Sequence, residues 1–235
     1  IYADKSKLST FGSVTGYPVI ARLSILPHSI RNAKGTGGGC LIGWLPEASS
    51  GAEKCNQKAW ATFQSYIYQQ AMSEVLSSLH DVAYWGVQLR CADDILRRVF
   101  PFVYGLIANN QEGWTMLAMR GAKSLKPCTI CLVPRDALHR LDMKYPRCSK
   151  SETSQIIRKA QTMAKGPAEE LLQSYGLRAH ESVFNQIHNS DPHWAISFDI
   201  LHTWQEGVWG GHTVPIIQTL IPLLGLEVIA RFESV

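Results

Sequence analysis

The chain has 235 residues and a mass of 26.2 kDa, and 46% of the residues are apolar, which supplies a buried core and excludes global disorder. Charged residues make up only 18%, and the net charge of +4 leans weakly toward anionic partners. The longest apolar stretch, residues 214–230, is interrupted by Pro215, Gln218, Pro222, Gly225 and Glu227, so no membrane span is expected.

The opening Ile1-Tyr2-Ala3-Asp4 reads as a strand already under way, as in a piece of a longer protein. Residues 17–23 carry β-branched and aromatic side chains and predict a strand. A glycine-rich turn at 35–39 leads to a second strand at 40–45, stopped by Pro46. Asn56 opens a long helix in which Trp60, Phe63, Ile67, Ala71, Val75 and Leu79 recur every three or four residues and define one apolar face. Residues 87–91 and 99–108 predict two more strands, the second apolar enough to be a central strand covered on both faces. A helix follows at 114–119, then polar helices over 151–188 broken at Gly166-Pro167 and Gly176. Residues 195–201 form a short apolar element, and 214–232 a helix kinked at Pro222. Strands with flanking helices, followed by a helical second half, make an α/β or α+β layered fold.

Charge is concentrated. Between Arg120 and Lys165 there are eleven Lys and Arg against three acids, a net +8 that leaves the remainder at −4. Such a segment is either a solvated helical face or a surface that follows phosphates. The six cysteines form no regular framework, and no secretory signal precedes them, which points to a reducing compartment. Cys128-Thr129-Ile130-Cys131 has the spacing of half a zinc knuckle, with Cys148, His139, His202 and His212 as possible further ligands; two free thiols in a loop are the plain alternative. Asp199 and His202, three apart, can share a helical face and bind metal or cap a helix. Asp4 lies at a strand end, where an acid is either a turn residue or a catalytic one. The 35–39 glycines lack the Gly-Lys-Ser/Thr of a phosphate loop, and no Gly-x-Ser-x-Gly elbow occurs. The His-x-Glu of zinc deaminases is missing as well.

Several islands in order along the chain resemble the Plavaka-type transposases, a fungal, CACTA-related branch of the DDE transposases. They are Tyr2-Ala3-Asp4-Lys5-Ser6-Lys7-Leu8-Ser9-Thr10-Phe11-Gly12 continuing through Gly16 to Arg22, then Ile30-Arg31-Asn32 and Gly37-Gly38-Gly39 with Gly43-Trp44-Leu45-Pro46. Further on come Arg90-Cys91-Ala92-Asp93 running into Arg97-Arg98-Val99-Phe100-Pro101-Phe102, Arg120-Gly121, and Pro127-Cys128-Thr129-Ile130-Cys131-Leu132-Val133-Pro134. The last are Ala195-Ile196-Ser197-Phe198-Asp199-Ile200-Leu201-His202 and Gly207-Val208-Trp209-Gly210-Gly211-His212.

The resemblance implies an RNase H-like mixed sheet with flanking helices that cuts and rejoins DNA with acidic residues and two Mg2+ or Mn2+ ions. It implies a core over 1–125, a basic CxxC and helical insertion stabilised by Zn2+ over 126–192, and an Asp-x-x-His segment over 193–235, with the core continuing beyond the C-terminus. Asp4 is then the first metal ligand. The second acid position falls on Asn109, a departure that leaves three options: an inactivated copy, Glu112 as substitute, or a shifted alignment. Glu227 and Glu233 fall late, and the third acid is expected past Val235. Asp199 is expected to play a supporting part, Cys128, Cys131, His202 and His212 to hold zinc, and Arg158, Lys159 and Lys165 to contact DNA. The expected protein is nuclear, able to form a homo-oligomer and, with Asn109 in place of an acid, inactive. The alternative is a non-enzymatic, zinc-containing DNA-binding or structural remnant.

Overall fold

A computed structural model describes residues 1–11, 13–33, 38–47, 57–225 and 231. Asn56, Cys55, Gly12 and most of the 35–39 turn lie outside these residues, as do Glu227 and Glu233. The chain divides into two units, Ile1–Ser197 and Phe198–Val235.

The strands in chain order are β1 (Tyr2–Ala3), the hairpin β2 (Ser6–Lys7) and β3 (Thr15–Gly16), β4 (Pro18–Ala21), β5 (Cys40–Trp44), the hairpin β6 (Val87–Arg90) and β7 (Leu96–Val99), β8 (Leu106–Ala108) and β9 (Ile196–Phe198). Five of them form one mixed sheet in the order β5-β4-β1-β8-β9. β4 runs antiparallel to both β1 and β5, whereas β1 and β8 are parallel. Pro18 opens β4, a position where its missing N–H is tolerated. Ala3, Val19, Leu106 and Ala108 point into the core and are almost fully buried.

The apolar run 99–108 is not one strand. β7 ends at Val99 in a separate exposed hairpin, Pro101 can donate no ladder hydrogen bond, and only Leu106–Ala108 enters the sheet. Within β8 Leu106 and Ala108 are buried while Ile107 is 46% exposed, so this strand is covered on one face only.

The helices are α1 (His28–Arg31), α2 (Gln57–Val75), α3 (Ser77–Trp85), α4 (Asn110–Met116), α5 (Lys150–Gln161), α6 (Lys165–Ser174), α7 (Pro192–Ala195) and α8 (Val214–Leu220). α2 lies on β5, where a side chain at Gly43 would collide with Val75. Its buried face is Ser65, Tyr68, Gln69 and Met72, one position round from the apolar stripe expected from the sequence, and Phe63 is exposed. The rotation follows from Gln69, whose amide bonds Thr115 O at 2.7 Å and the Val183 N–H at 2.8 Å; both are buried backbone groups that need partners. Ser149 and Glu152 form a reciprocal cap at the start of α5. The break expected at Gly166-Pro167 falls at 162–164 instead, because both residues sit in the first turn of α6, where proline is accommodated.

One core gathers Met72, Leu106, Met116, Val183, Phe184 and Ile187 around the sheet, and a second holds Met119, Ile157, Ala160, Leu172 and Leu177. In the second unit a π-helical run, Leu201–Thr213, leads into α8 and then a 3-10 turn, Ile221–Leu224, that contains Pro222. Among the described residues no helix is long and apolar enough to cross a membrane.

Gly176 closes α6 with φ +69, and a Cβ there would press on the Lys126 carbonyl oxygen. This turn lets Leu177 bridge to Met119 and join the second core. Gly176→Ala is expected to cost about 1–2 kcal/mol from backbone conformation alone. At about 2–4 °C per kcal/mol for a domain of this size, thermal unfolding should show a drop of at least a few degrees. An unchanged melting temperature would contradict the role given to this turn.

Candidate active site

The parallel pair β1–β8 sets the geometry. Tyr2 is in register with Ile107, and the Ile107 N–H donates to Ile1 O at 2.9 Å. Continued by two residues, this register carries Asp4 and Asn109 to the C-terminal ends of adjacent strands, whose spacing is about 4.8 Å. Asp4 accepts a hydrogen bond from the Tyr2 hydroxyl at 3.3 Å. Asn109 is the N-cap of α4, its Oδ1 accepting from the Glu112 N–H at 2.9 Å.

Behind these two lies a buried polar cluster. Glu112 is 7% exposed, and its carboxylate accepts a hydrogen bond from the Tyr17 hydroxyl. Burial pushes the Glu112 carboxyl above its ordinary range and the Asp4 charge adds to this, against the opposing Tyr17 hydrogen bond and Lys5. The Tyr68 ring stands 5.8 Å from that of Tyr17. Its buried hydroxyl adjoins the Tyr17 hydroxyl but makes no hydrogen bond of acceptable geometry. At the rim Lys5 pairs with Glu47 at 2.9 Å.

The cysteine pair forms a second centre in the first unit. Cys131 Sγ is 3.6 Å from Cys128 Sγ, a separation compatible with two thiolates on one tetrahedral ion. Cys148 is brought to the same turn by its N–H, which donates to Ile130 O at 2.9 Å. Burial, then the neighbouring Cys128 and Cys131, push its thiol up to about 12. The ring of His193 also reaches this turn, with Nδ1 2.9 Å from Thr129 O, and burial holds its pKa below the ordinary value. The two histidines expected as ligands are in the second unit: His202 Nδ1 is 2.8 Å from Asp199 Oδ2, and His212 is exposed on the π-helical run. Burial acts to raise the Asp199 pKa, but the hydrogen bonds from His202 and the Leu201 N–H outweigh it and leave the group lowered. Among the described residues no three His, Cys, Asp or Glu side chains are grouped closely enough to hold a metal ion.

The basic segment divides. Arg158 and Lys159 in the last turn of α5 and Lys165 at the start of α6 are exposed, with Arg158 only 3.7 Å from Glu181. Most other bases are engaged: Arg120 with Glu169, Arg140 with Asp142, Arg147 over the Trp194 ring, Lys126 over the Tyr175 ring, and Lys150 on the Ile187 and Ser190 carbonyls. Sequence reasoning missed Tyr17, Tyr68, His193 and Arg178 as members of these sites. Each is isolated in the sequence from the groups it meets, so no spacing announces it.

A family model described as Plavaka transposase matches residues 1–217. No curated protein and no solved structure matches the chain.

His180 supplies a pH test of the α2 contact. Its Nε2 is 2.9 Å from Ser65 Oγ, and burial, then the Arg178 charge, lower its pKa to about 4. Between the ordinary His value near 6.5 and about 4 the unfolded chain binds the proton more readily, so this contribution is present above pH 6.5 and lost as pH falls through that window. Glu112, with a raised pKa, acts in the opposite sense. The test is therefore differential: denaturant unfolding at pH 7.5 and pH 5 should show a smaller acid loss for His180→Gln than for the unmodified chain. Equal losses would contradict the assignment.

Proposed function

The chain belongs to the Plavaka transposase family, and from that premise we propose that it carries the RNase H-like catalytic core of a DDE-type DNA transposase in a form that no longer cleaves. The β1–β8 register is the observation that supports the core. β1 lies beside β8 with Tyr2 opposite Ile107, and the same register continued leads to Asp4 and Asn109, which supports reading them as the two acid positions.

The same site supplies the reason for inactivity. Carboxylates from both strands would be needed to hold two Mg2+ or Mn2+ ions, whose chemistry would be to activate the attacking oxygen and stabilise the leaving one. Asp4 offers a hard anionic oxygen. Asn109 has its single side-chain oxygen engaged on the Glu112 N–H and otherwise presents an NH2 group, a donor that repels a cation. The donor set fits one cation at Asp4 and does not fit a pair. An aspartate at 109 would cap α4 with one oxygen and keep the other for metal.

In this reading Arg158, Lys159 and Lys165 contact DNA phosphates on a protein that works in the nucleus. Asp199 orients His202 in a supporting role. Cys128 and Cys131 would supply two thiolates to a zinc ion bracing the basic segment, and Cys148 and His193 reach the same turn. The non-enzymatic remnant is the reading Asn109 favours over an active enzyme.

The experiment is plasmid nicking with Mg2+ or Mn2+, alongside metal analysis. The unmodified chain should not nick. Asn109→Asp should raise Mn2+ affinity with stability within about 0.5 kcal/mol, since Asn and Asp cap equally well. Nicking by the unmodified chain that Asp4→Ala abolishes would contradict the reading of position 109, and purified protein free of zinc would remove the proposed zinc site.

A further inference from the structure

A cavity of about 390 Å3 opens between α2 and α4, and its wall includes Lys5, Tyr17, Glu112, Tyr68, Arg120 and Arg178. The two arginines arrive together through one backbone contact. Met119 bridges Leu177, the Arg120 N–H donates to Gly176 O at 2.9 Å, and the Arg178 N–H donates to Ala118 O at 3.1 Å. Alternation along such a pair sends Met119 and Leu177 to one face, the second core, and Arg120 and Arg178 to the other.

Glu169 receives both guanidinium nitrogens of Arg120, at 3.1 and 2.9 Å, and also the Lys58 ammonium at 2.6 Å. Arg178 is half-buried beside them. Its Nε donates to Met119 O at 3.0 Å, and among the described residues no carboxylate pairs with it. Arg178 thus stands beside Arg120 with no carboxylate of its own, and a partly desolvated guanidinium is favoured by an accompanying anion. A second observation points to a ligand: the Tyr68 hydroxyl, on a residue 5% exposed, lines the same cavity without a hydrogen-bond partner.

We infer that this cavity is a phosphate subsite for a DNA strand, with Arg178 as its principal contact and the Tyr68 hydroxyl as a further donor. The Arg178 guanidinium points to an anion; that the anion is a DNA phosphodiester rests on the transposase reading. The cavity suits a strand better than a free ion. It runs along α2 from Tyr68, beside the Tyr17–Glu112 bond, to Ala61. Those seven helical steps span about 10 Å, room for more than one phosphate. A strand seated there passes the Asp4 end of the sheet.

The test is fluorescence-anisotropy titration of a labelled single-stranded oligonucleotide over a salt series. The proteins are the unmodified chain, Arg178→Gln, Arg178→Lys and Tyr68→Phe, each checked for native melting. Arg178→Gln should weaken binding about 3–10-fold and lower the log–log salt slope by about 0.7, the loss of one phosphate contact on a single strand. Arg178→Lys should keep the slope while binding less tightly, because the charge remains and the planar fork is lost. Tyr68→Phe should weaken binding a few-fold with the slope unchanged. If the unmodified chain binds DNA and neither Arg178→Gln nor Tyr68→Phe alters it, the subsite is refuted while the transposase reading stands. If inorganic phosphate raises the melting temperature only when Arg178 is present and DNA affinity ignores residue 178, the site takes a free anion and the DNA assignment is overturned. Failure of the unmodified chain to bind DNA at all overturns both.

Discussion

The parallel pairing of β1 with β8 is the constraint on which the site depends. Both strands are very short, two and three residues, so ladder hydrogen bonds by themselves hold little. The pair is kept in place because Ala3, Leu106 and Ala108 are buried in the same core as Met72, Met116 and Phe184. A slip of one residue would turn Ile107 inward and Leu106 outward, and would separate Asp4 from the level of Asn109. Register at the functional edge is therefore enforced by packing at the opposite face of the sheet.

Burial also explains why polar side chains occupy the surroundings of that edge. The end of α4 leaves carbonyls that need donors. Gln69 satisfies Thr115 O, and Ser182 satisfies Met116 O at 2.6 Å. Gln69 also accepts from the Val183 N–H, so one side chain ties α2, α4 and the 183–187 segment together. Start and end of α4 serve different purposes: Asn109 closes the first turn, at the end of the strand that pairs with β1, while the last turn is fastened to the core. Glu112, between them, is stabilised by the Tyr17 hydroxyl and stays apart from solvent.

Parts of this were legible in the sequence for definite reasons. β4 and β5 were visible because Val19, Ile20, Leu41 and Ile42 are β-formers bounded by turn residues. Asp4 and Asn109 were found through the family resemblance, since nothing in the spacing of 105 positions links an aspartate to an asparagine. β8 was overestimated because an apolar run does not reveal whether its side chains face a core, and Phe100, Phe102 and Tyr104 are exposed. The face of α2 was displaced because hydrophobicity cannot report that Gln69 would be buried for its hydrogen bonds. His193 escaped notice near Cys128 because it lies 65 positions away and is recognised only by its bond to Thr129 O. Arg178 stands outside the 120–165 basic segment, and only the fold shows it half-buried beside Arg120 with its Nε on Met119 O.

The most direct test of the central placement is an anomalous difference map from crystals grown with Mn2+. A single peak on the Asp4 carboxylate, at the C-terminal edge of β1 and β8 with the Asn109 side chain still capping α4, is the expected result. Asp4 and Asn109 held apart on strands that are not neighbours, or a Mn2+ peak well ordered elsewhere with none at Asp4, would contradict it.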